Sequence, residues 1–303
     1  MSLAEPLPGR ELAAFVTAVE TGTVQGAADA LALTQSAATK RIQSLERRIG
    51  QPLLNRGSLG VAPTAAGQLL YPLAREALAA LERAETSALA PNQAPVLRIH
   101  ASRTIGETLL PAWLASFRMV AAPHRALVAI TNTDDAMRAV RQGDCEIGFV
   151  EGPTGDTRGL EDLVVAQDEL RAVVAAGHPW ARRRSVPAAA LRSDRFLARE
   201  RGSGTRAVAT TTLAQAGIVL EPSLEVSSAE GLKRAVLAGG FALLSERTVA
   251  AEITTGALVA VPVGGVELRR SLRAIRRTRP ALVDPARAFW NWLSGVADAV
   301  DSD

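Results

Sequence analysis

The chain has one cysteine, Cys145. A single thiol cannot close a disulfide within one chain, which excludes both a disulfide framework and a sensor that pairs two of its own cysteines. Such usage fits a reducing cytoplasm. Lysine is almost missing. Of 34 basic residues only Lys40 and Lys233 are lysine and the remainder are arginine. With so much alanine beside it, this is the composition of a GC-rich coding sequence, so arginine content alone says little about nucleic acid. No apolar run reaches the roughly 18 residues that a membrane-spanning helix needs, so no membrane partner is expected. The opening MSLAEPLPGRELAAF has no charged start, apolar core or small-residue cleavage site, so no secretory signal is expected either.

Catalytic sets are also missing. His100, His124, His178 and Cys145 lie far apart without metal-ligand spacing, and no metal or cofactor is expected. Gly202-Ser203-Gly204-Thr205 lacks the Gly-Lys-Ser/Thr ending of a phosphate-binding loop. Ser203 has no histidine near it and no strand–elbow–helix setting for a nucleophile. An enzyme is therefore not expected.

What is there begins with charge placement. The 303 residues suggest two domains or so and carry a net charge of only +3. Between Thr34 and Thr64, however, five basic residues (Lys40, Arg41, Arg47, Arg48 and Arg56) face one acid, Glu46. Local positive charge of this kind marks elements that approach DNA.

Helical periodicity fills the same region. Leu12, Phe15, Val16 and Val19 make one amphipathic stripe, which Gly22 ends. Thr23 can cap a second short helix carrying Val24, Ala27, Ala28 and Leu31, and Thr34 a third after the break at Ala32-Leu33. The third has two faces. Ala38, Ile42, Leu45 and Ile49 are apolar, whereas Ser36, Thr39, Lys40 and Gln43 are polar, and Gly50 closes it. Two short helices, a tight turn and a longer helix form a helix-turn-helix. Amides of Gln35 and Gln43 can pair with base edges, hydroxyls of Thr34, Ser36 and Thr39 can reach phosphates or bases, and Lys40 and Arg41 supply charge. A solvated face on an ordinary bundle has the same periodicity, and spacing alone does not separate the two.

The Gly- and Pro-rich stretch 52–64 reads as a small β-hairpin, a wing, with Arg56 placed for phosphate or minor-groove contact. A long helix is expected from Thr64 to about Leu89. Leu70, Ala74, Ala77, Leu81, Ala84 and Ala88 repeat along it at heptad spacing, which points to a dimer partner rather than to packing on its own domain.

LTQSAATKRIQSLERRIGQPLLNRGSLGVAPTAAG closely resembles the N-terminal signature of LysR-type transcriptional regulators. Thr39 stands where serine is common in that family, and Ala62-Pro63-Thr64 where a leucine often precedes the threonine; neither change removes a donor.

Beyond the linker Pro91-Asn92-Gln93-Ala94-Pro95, short apolar runs alternate with helical patterns: Val96–Ile99, Leu127–Ile130, Ile147–Val150, Leu170–Ala175, Phe241–Leu244 and Leu258–Val261. That alternation argues for a parallel α/β sheet. The resemblance implies a periplasmic-binding-protein-like domain of two Rossmann-like subdomains, with crossings near Val164–Asp168 and Pro262–Val266. The expected division is 1–64 (winged helix-turn-helix), 65–94 (linker and dimerisation helix) and 95–303 (effector binding). Within the last, subdomain I comprises 95–165 and 267–303, and subdomain II comprises 166–266.

Three segments read as helix starts around a ligand: 101–107, 200–206 and 227–230. Ser102, Arg103, Thr104, Ser203 and Thr205 are the candidate effector residues, with Gly202 and Gly204 allowing close backbone approach. Thr104-x-x-Glu107 and Ser227-x-x-Glu230 are also capping-box patterns, which need no ligand. ASRTIGETLLP and RERGSGTR resemble the branch of the family related to cysteine- and sulfur-metabolism and carbon-fixation regulators, which implies a small anionic effector. Arg103 departs from the serine or threonine common at that place. The basic run Arg269, Arg270, Arg273, Arg276, Arg277 and Arg279 reads as an exposed strand edge guarded by charge.

The expected protein is thus a cytoplasmic regulator that binds double-stranded DNA and a small anion, dimeric through its linker helix and homotetrameric overall. A solute-binding module that sequesters a metabolite without touching DNA is the alternative.

Overall fold

The computed structural model describes residues 7–57, 60–89, 94–152 and 157–300, with the backbone alone for Arg83, 86–89 and 298–300. The wing tip Ser58-Leu59, the linker residues 91–93 and the side chain of Ala88 therefore lie outside the described residues. The chain divides into two compact units, Met1–Gln93 with Arg141–Asp144, and Ala94–Val140 with Cys145–Asp303. Among the described residues no helix is long and apolar enough to cross a membrane.

The first unit comprises α1 (Gly9–Thr21), α2 (Val24–Ala30), α3 (Gln35–Ile49), the hairpin β1 (Leu54–Gly57) and β2 (Gly60–Pro63), and α4 (Ala65–Leu89). Its boundaries follow the capping chemistry of the sequence. Gly22 and Gly50 end α1 and α3 in the left-handed conformation, at φ 71° and 77°. Thr23 Oγ1 accepts from the amide of Gly26, and Thr34 Oγ1 from that of Ala37. The apolar stripes meet in one core of Phe15, Ile42, Leu45, Leu53 and their neighbours.

Glu46, the one acid in the basic stretch, has a structural task. Its Oε1 accepts from the amides of Leu53 (2.8 Å) and Leu54 (3.3 Å), which tie the start of the wing to the side of α3. Strand β2 is fixed from the other direction. The amide of Val61 donates to the Gly22 carbonyl at 2.7 Å, and any Cβ at Gly60 would lie 2.3 Å from that oxygen.

The expected seam on α4 is partly used inside this unit. Ala74 is buried, and Leu70 packs against the core with Leu78. Among the described side chains of α4, Leu69, Leu73, Ala77, Ala80, Leu81 and Ala84, with Ala65 at its start, are apolar and exposed.

The second unit runs β3 (Val96–Ser102), α5 (Arg103–Thr108), α6 (Leu110–Val120), β4 (Arg125–Thr131), α7 (Thr133–Gln142), β5 (Ile147–Glu151), β6 (Leu160–Ala175), β7 (Val186–Pro187), β8 (Leu197–Arg199), α8 (Gly204–Gln215), β9 (Leu224–Val226), α9 (Ala229–Leu237), β10 (Phe241–Ser245), α10 (Ala250–Thr254), β11 (Leu258–Val261), β12 (Val263–Gly264), β13 (Arg269–Arg277) and α11 (Ala286–Val300). The main sheet has the order β10-β6-β13-β5-β3-β4, and β11 also pairs with β6. It is mixed, not parallel throughout. β3, β4 and β5 are parallel, whereas β13 is antiparallel to β5 and β6, and β10 and β11 are antiparallel to β6. Two lobes share β6, whose first part pairs with β13 and whose last part, from Leu170, pairs with β10 and β11. One lobe is built on Phe117, Phe149 and Phe289, the other on Trp180, Phe196 and Phe241.

The basic run is not an edge. β13, which carries all of the run but Arg279, lies in the middle of the sheet, and Arg270, Arg273 and Arg276 meet acids of β6. Arg270 stands opposite Asp168 and Arg276 opposite Glu161. Arg276 Nη2 lies 2.6 Å from Glu161, and Arg273 pairs with Asp162. Cross-strand pairing of opposite charges, not protection of a free edge, is the reason for the run.

The Glu46 contacts generate a test. Glu46→Ala leaves two amides at the wing entrance without their acceptor and should cost about 1–3 kcal/mol. Glu46→Gln keeps an acceptor and should cost clearly less. Urea unfolding followed by far-UV circular dichroism checks this; an alanine variant as stable as wild type would show that the wing does not lean on this carboxylate.

Candidate DNA interface and effector cleft

On α3 the two faces separate as the periodicity requires. Ala38, Ile42 and Leu45 are buried, while Thr34, Gln35, Ser36, Lys40 and Gln43 are exposed. Thr39 and Arg41 flank that polar face half-buried, and Arg56 is exposed on β1. Thr34 Oγ1 lies 3.1 Å from Ser36 Oγ. The cap of the helix and the hydroxyl at its second position therefore share one hydrogen bond at the end that presents amides outward. Ile49 departs from its apolar stripe and is 37% exposed.

In the second unit one side chain organises the space between the lobes. Arg270 points inward from β13, and its side chain is only 1% exposed. Its Nε and Nη2 both lie on Asp168 Oδ2, at 2.8 and 2.7 Å. Nη1 donates to Thr205 Oγ1 at 2.9 Å and lies 3.3 Å from Glu151 Oε1. Nη2 also reaches Thr104 Oγ1 at 3.3 Å. Thr205 in turn donates to Glu151 Oε1 at 2.9 Å, and Ser245 donates to Asp168 Oδ1 at 2.7 Å. Arg247 approaches Asp168 Oδ1 from the rim, at 3.8 Å.

The guanidinium therefore joins α5 and β5 of one lobe to α8 of the other, through the two long strands they share. Removing three charges from water is unfavourable unless they pair, and here the pairing is dense. The set holds charges and hydrogen-bonding groups in place.

The expected effector residues divide. Thr104 and Thr205 meet at Arg270. Ser102 begins α5 but caps nothing, and its buried Oγ has no hydrogen-bond partner among the described residues. Arg103, next to it, has an enclosed Nε without an acceptor. Ser203 is buried and caps α8, its Oγ accepting from the amide of Arg206, a role that does not exclude a ligand. Both capping-box readings shift. Thr104 lies inside α5, after its cap at Ser102, and α9 is capped by Ser228, not Ser227.

The glycines serve a contact within the protein. A Cβ on Gly204 would lie 2.1 Å from the Glu151 carbonyl oxygen, and one on Gly202 3.1 Å from Asp134 Oδ2. The amide of Asp134 donates to the Gly202 carbonyl at 3.3 Å, so the lobes touch here directly.

Arg270, Glu151, Asp168 and Ser245 were not singled out from the sequence. One signal was available. Leu268, Arg270, Leu272 and Ala274 alternate on the buried face of a strand, and a charge at such a position needs a buried partner.

Comparison with known proteins agrees with this architecture. The family model for bacterial regulatory helix-turn-helix proteins of the lysR family matches residues 10–68, and that for the LysR substrate binding domain matches residues 91–298. An uncharacterized HTH-type transcriptional regulator of Mycobacterium tuberculosis is 38% identical over 299 residues, covering 93% of this chain and 95% of that one. The HTH-type transcriptional regulator CysL of Bacillus subtilis is 29% identical over 267 residues, covering 87% and 89%. Among solved structures, ArgP from Mycobacterium tuberculosis superposes with a TM-score of 0.67 at 23% identity, covering 97% of this chain and 99% of that one. The regulatory domain of CcmR from Synechocystis, solved in complex with 2-PG, gives 0.62 at 21% identity, covering 67% and 97%. The relatives are regulators and not enzymes, the solved structures share the fold, and the two domain models together span most of the sequence: the chain belongs to the LysR family of transcriptional regulators.

Proposed function

We propose that this regulator is a cytoplasmic homotetramer that reads an operator through α3 and the wing, and that a small molecule with an anionic group, held between the two lobes of the second unit, controls it. Residues 1–64 form the DNA-binding part, 65–94 the linker and dimerisation part, and 95–303 the effector-binding part. On this reading Thr34, Gln35, Ser36, Thr39, Lys40, Arg41 and Gln43 face the major groove or its flanking phosphates, and Arg56 meets backbone. The exposed apolar row of α4 is the surface a partner helix covers.

The observation that carries the effector assignment is the Arg270 cluster. A buried charge bound to hydroxyls and carboxylates from both lobes makes their closure depend on what lies between them. Ser102 and Arg103 bring unused donors to the same turn as Thr104, and the complex of the CcmR regulatory domain with 2-PG supports a small-molecule ligand in this fold. A ligand moves an equilibrium only by its differential affinity for the two states, so a 100-fold preference supplies about 2.7 kcal/mol.

Fluorescence anisotropy on the DNA upstream of the gene tests the interface. Lys40→Ala should weaken binding to every sequence and lower the salt slope by about 1. Gln35→Ala should lose about 1–3 kcal/mol of discrimination. Full operator affinity in a folded variant with Gln35, Ser36 and Lys40 all replaced by alanine would end the assignment.

Assembly is tested on α4. Leu73→Glu with Ala77→Glu should convert the oligomer to smaller species in light scattering and abolish binding to half-sites spaced by whole turns of about 34–36 Å. Unchanged mass would show that this row is not an interface.

A further inference from the structure

The polar groups of the cleft do not balance. Among the described residues Arg270 is the one cation at its centre, and it faces two buried carboxylates, Glu151 and Asp168. Every N–H-bearing nitrogen of its guanidinium is engaged: Nε by Asp168, Nη1 by Thr205 and Glu151, Nη2 by Thr104 and Asp168. Arg247 adds charge only at the rim and only toward Asp168. Glu151 therefore has no second cation among the described residues. Its Oε1 is taken up by Thr205 and Arg270, while Oε2 is buried with no hydrogen-bond partner, on a residue 2% exposed. At the turn between β3 and α5 the opposite need exists. Ser102 Oγ, on a residue 1% exposed, has no partner, and neither has the enclosed Nε of Arg103.

A simple anion answers half of this. It would satisfy Ser102 and Arg103 but would leave Glu151 Oε2 unpaired and add negative charge to a site that already buries two carboxylates, where water does not screen repulsion. A ligand with an ammonium group as well answers both halves. Buried carboxylates are stable when a charged donor reaches them, and ammonium–carboxylate hydrogen bonds are among the stronger ones.

We propose that the ligand of this cleft is zwitterionic, an amino acid or close analogue, whose ammonium group meets Glu151 Oε2 and whose carboxylate meets Ser102 and Arg103. This rests on the reading of the cleft as the effector site and names the class of effector. The zwitterion adds no net charge, so the anionic group inferred above is one end of a neutral molecule.

The test uses the full-length protein and thermal shift followed by calorimetry. The probes are the twenty L-amino acids, the counterpart of each that lacks the amino group (acetate for glycine, propionate for alanine, succinate for aspartate, and so on), the oxyanions sulfate and phosphate, and methylamine. At least one amino acid is expected to raise the melting temperature, with its counterpart lacking the amino group binding at least tenfold more weakly, a loss of about 1.4 kcal/mol. Glu151→Gln keeps an acceptor for Thr205 but removes the negative charge. It should weaken the amino acid by tenfold or more and leave carboxylates unchanged or tighter, whereas Ser102→Ala should weaken both. If Glu151→Gln does not fold, the wild-type comparison of each amino acid with its des-amino partner decides alone. Carboxylates or oxyanions that bind as tightly as any amino acid would overturn the zwitterion while leaving the cleft as an effector site. Stabilisation by none of the probes would overturn both readings.

Discussion

The second unit is arranged around one buried guanidinium. An arginine on the inward face of a central strand must be neutralised by its neighbours or it destabilises the fold, because its desolvation is worth several kcal/mol. Arg270 sets that requirement, and Asp168 on the adjoining β6 and Glu151 at the end of β5 meet it. Thr104, Thr205 and Ser245 complete the hydrogen bonding from three more elements. The return of β13 to the middle of the sheet and its register with β6 bring the lobes to this point. So does the absence of a side chain at Gly204, where the loop before α8 rests against the Glu151 carbonyl. A ligand entering between the lobes enters an existing network and competes with it.

The first unit depends on different physics. Its stability comes from apolar helix faces closed by capping groups, and on the polar face of α3 Thr34 caps the helix and contacts Ser36. Glu46 shows the division of labour. In a stretch selected for positive charge, the one acid is retained because two amides at the entrance to the wing need an acceptor.

Local rules made much of this legible in the sequence. Helix ends at Gly22, Thr23, Thr34 and Gly50 are written in capping residues, and the hairpin in its glycines and prolines. Strands β3, β5, β10 and β11 appear as apolar runs because their interactions are dominated by burial; β4 reads the same way although it is an edge strand that leaves Leu127, Val128 and Ile130 exposed. The failures share a cause: each depended on which strand or helix lies beside which. β13 is rich in arginine and reads as an edge until β6 is placed next to it, with Glu161, Asp162 and Asp168 as partners. The first turns of α4 read as a pure dimer seam until Leu70 and Ala74 are seen against their own core. Thr104 and Thr205 were accessible as hydroxyls at helix starts. Glu151 and Asp168 were not, since an acid on a strand carries no local sign of a guanidinium far along the chain.

The ties on the wing carry a consequence for how such a protein evolves. One oxygen of Glu46 holds both amides at the wing entrance to α3, and Gly60 rests against the Gly22 carbonyl, so the described part of the wing is tied both to α3 and to the end of α1. A head tied in this way cannot loosen or tighten its grip on individual bases; it can only be delivered to the groove or withheld. Sequence preference and responsiveness are then separate inheritances. On the proposed reading, changes along the polar face of α3 redirect the protein to new operators without retuning its answer to a metabolite, and changes in the cleft retune that answer without altering the DNA it reads.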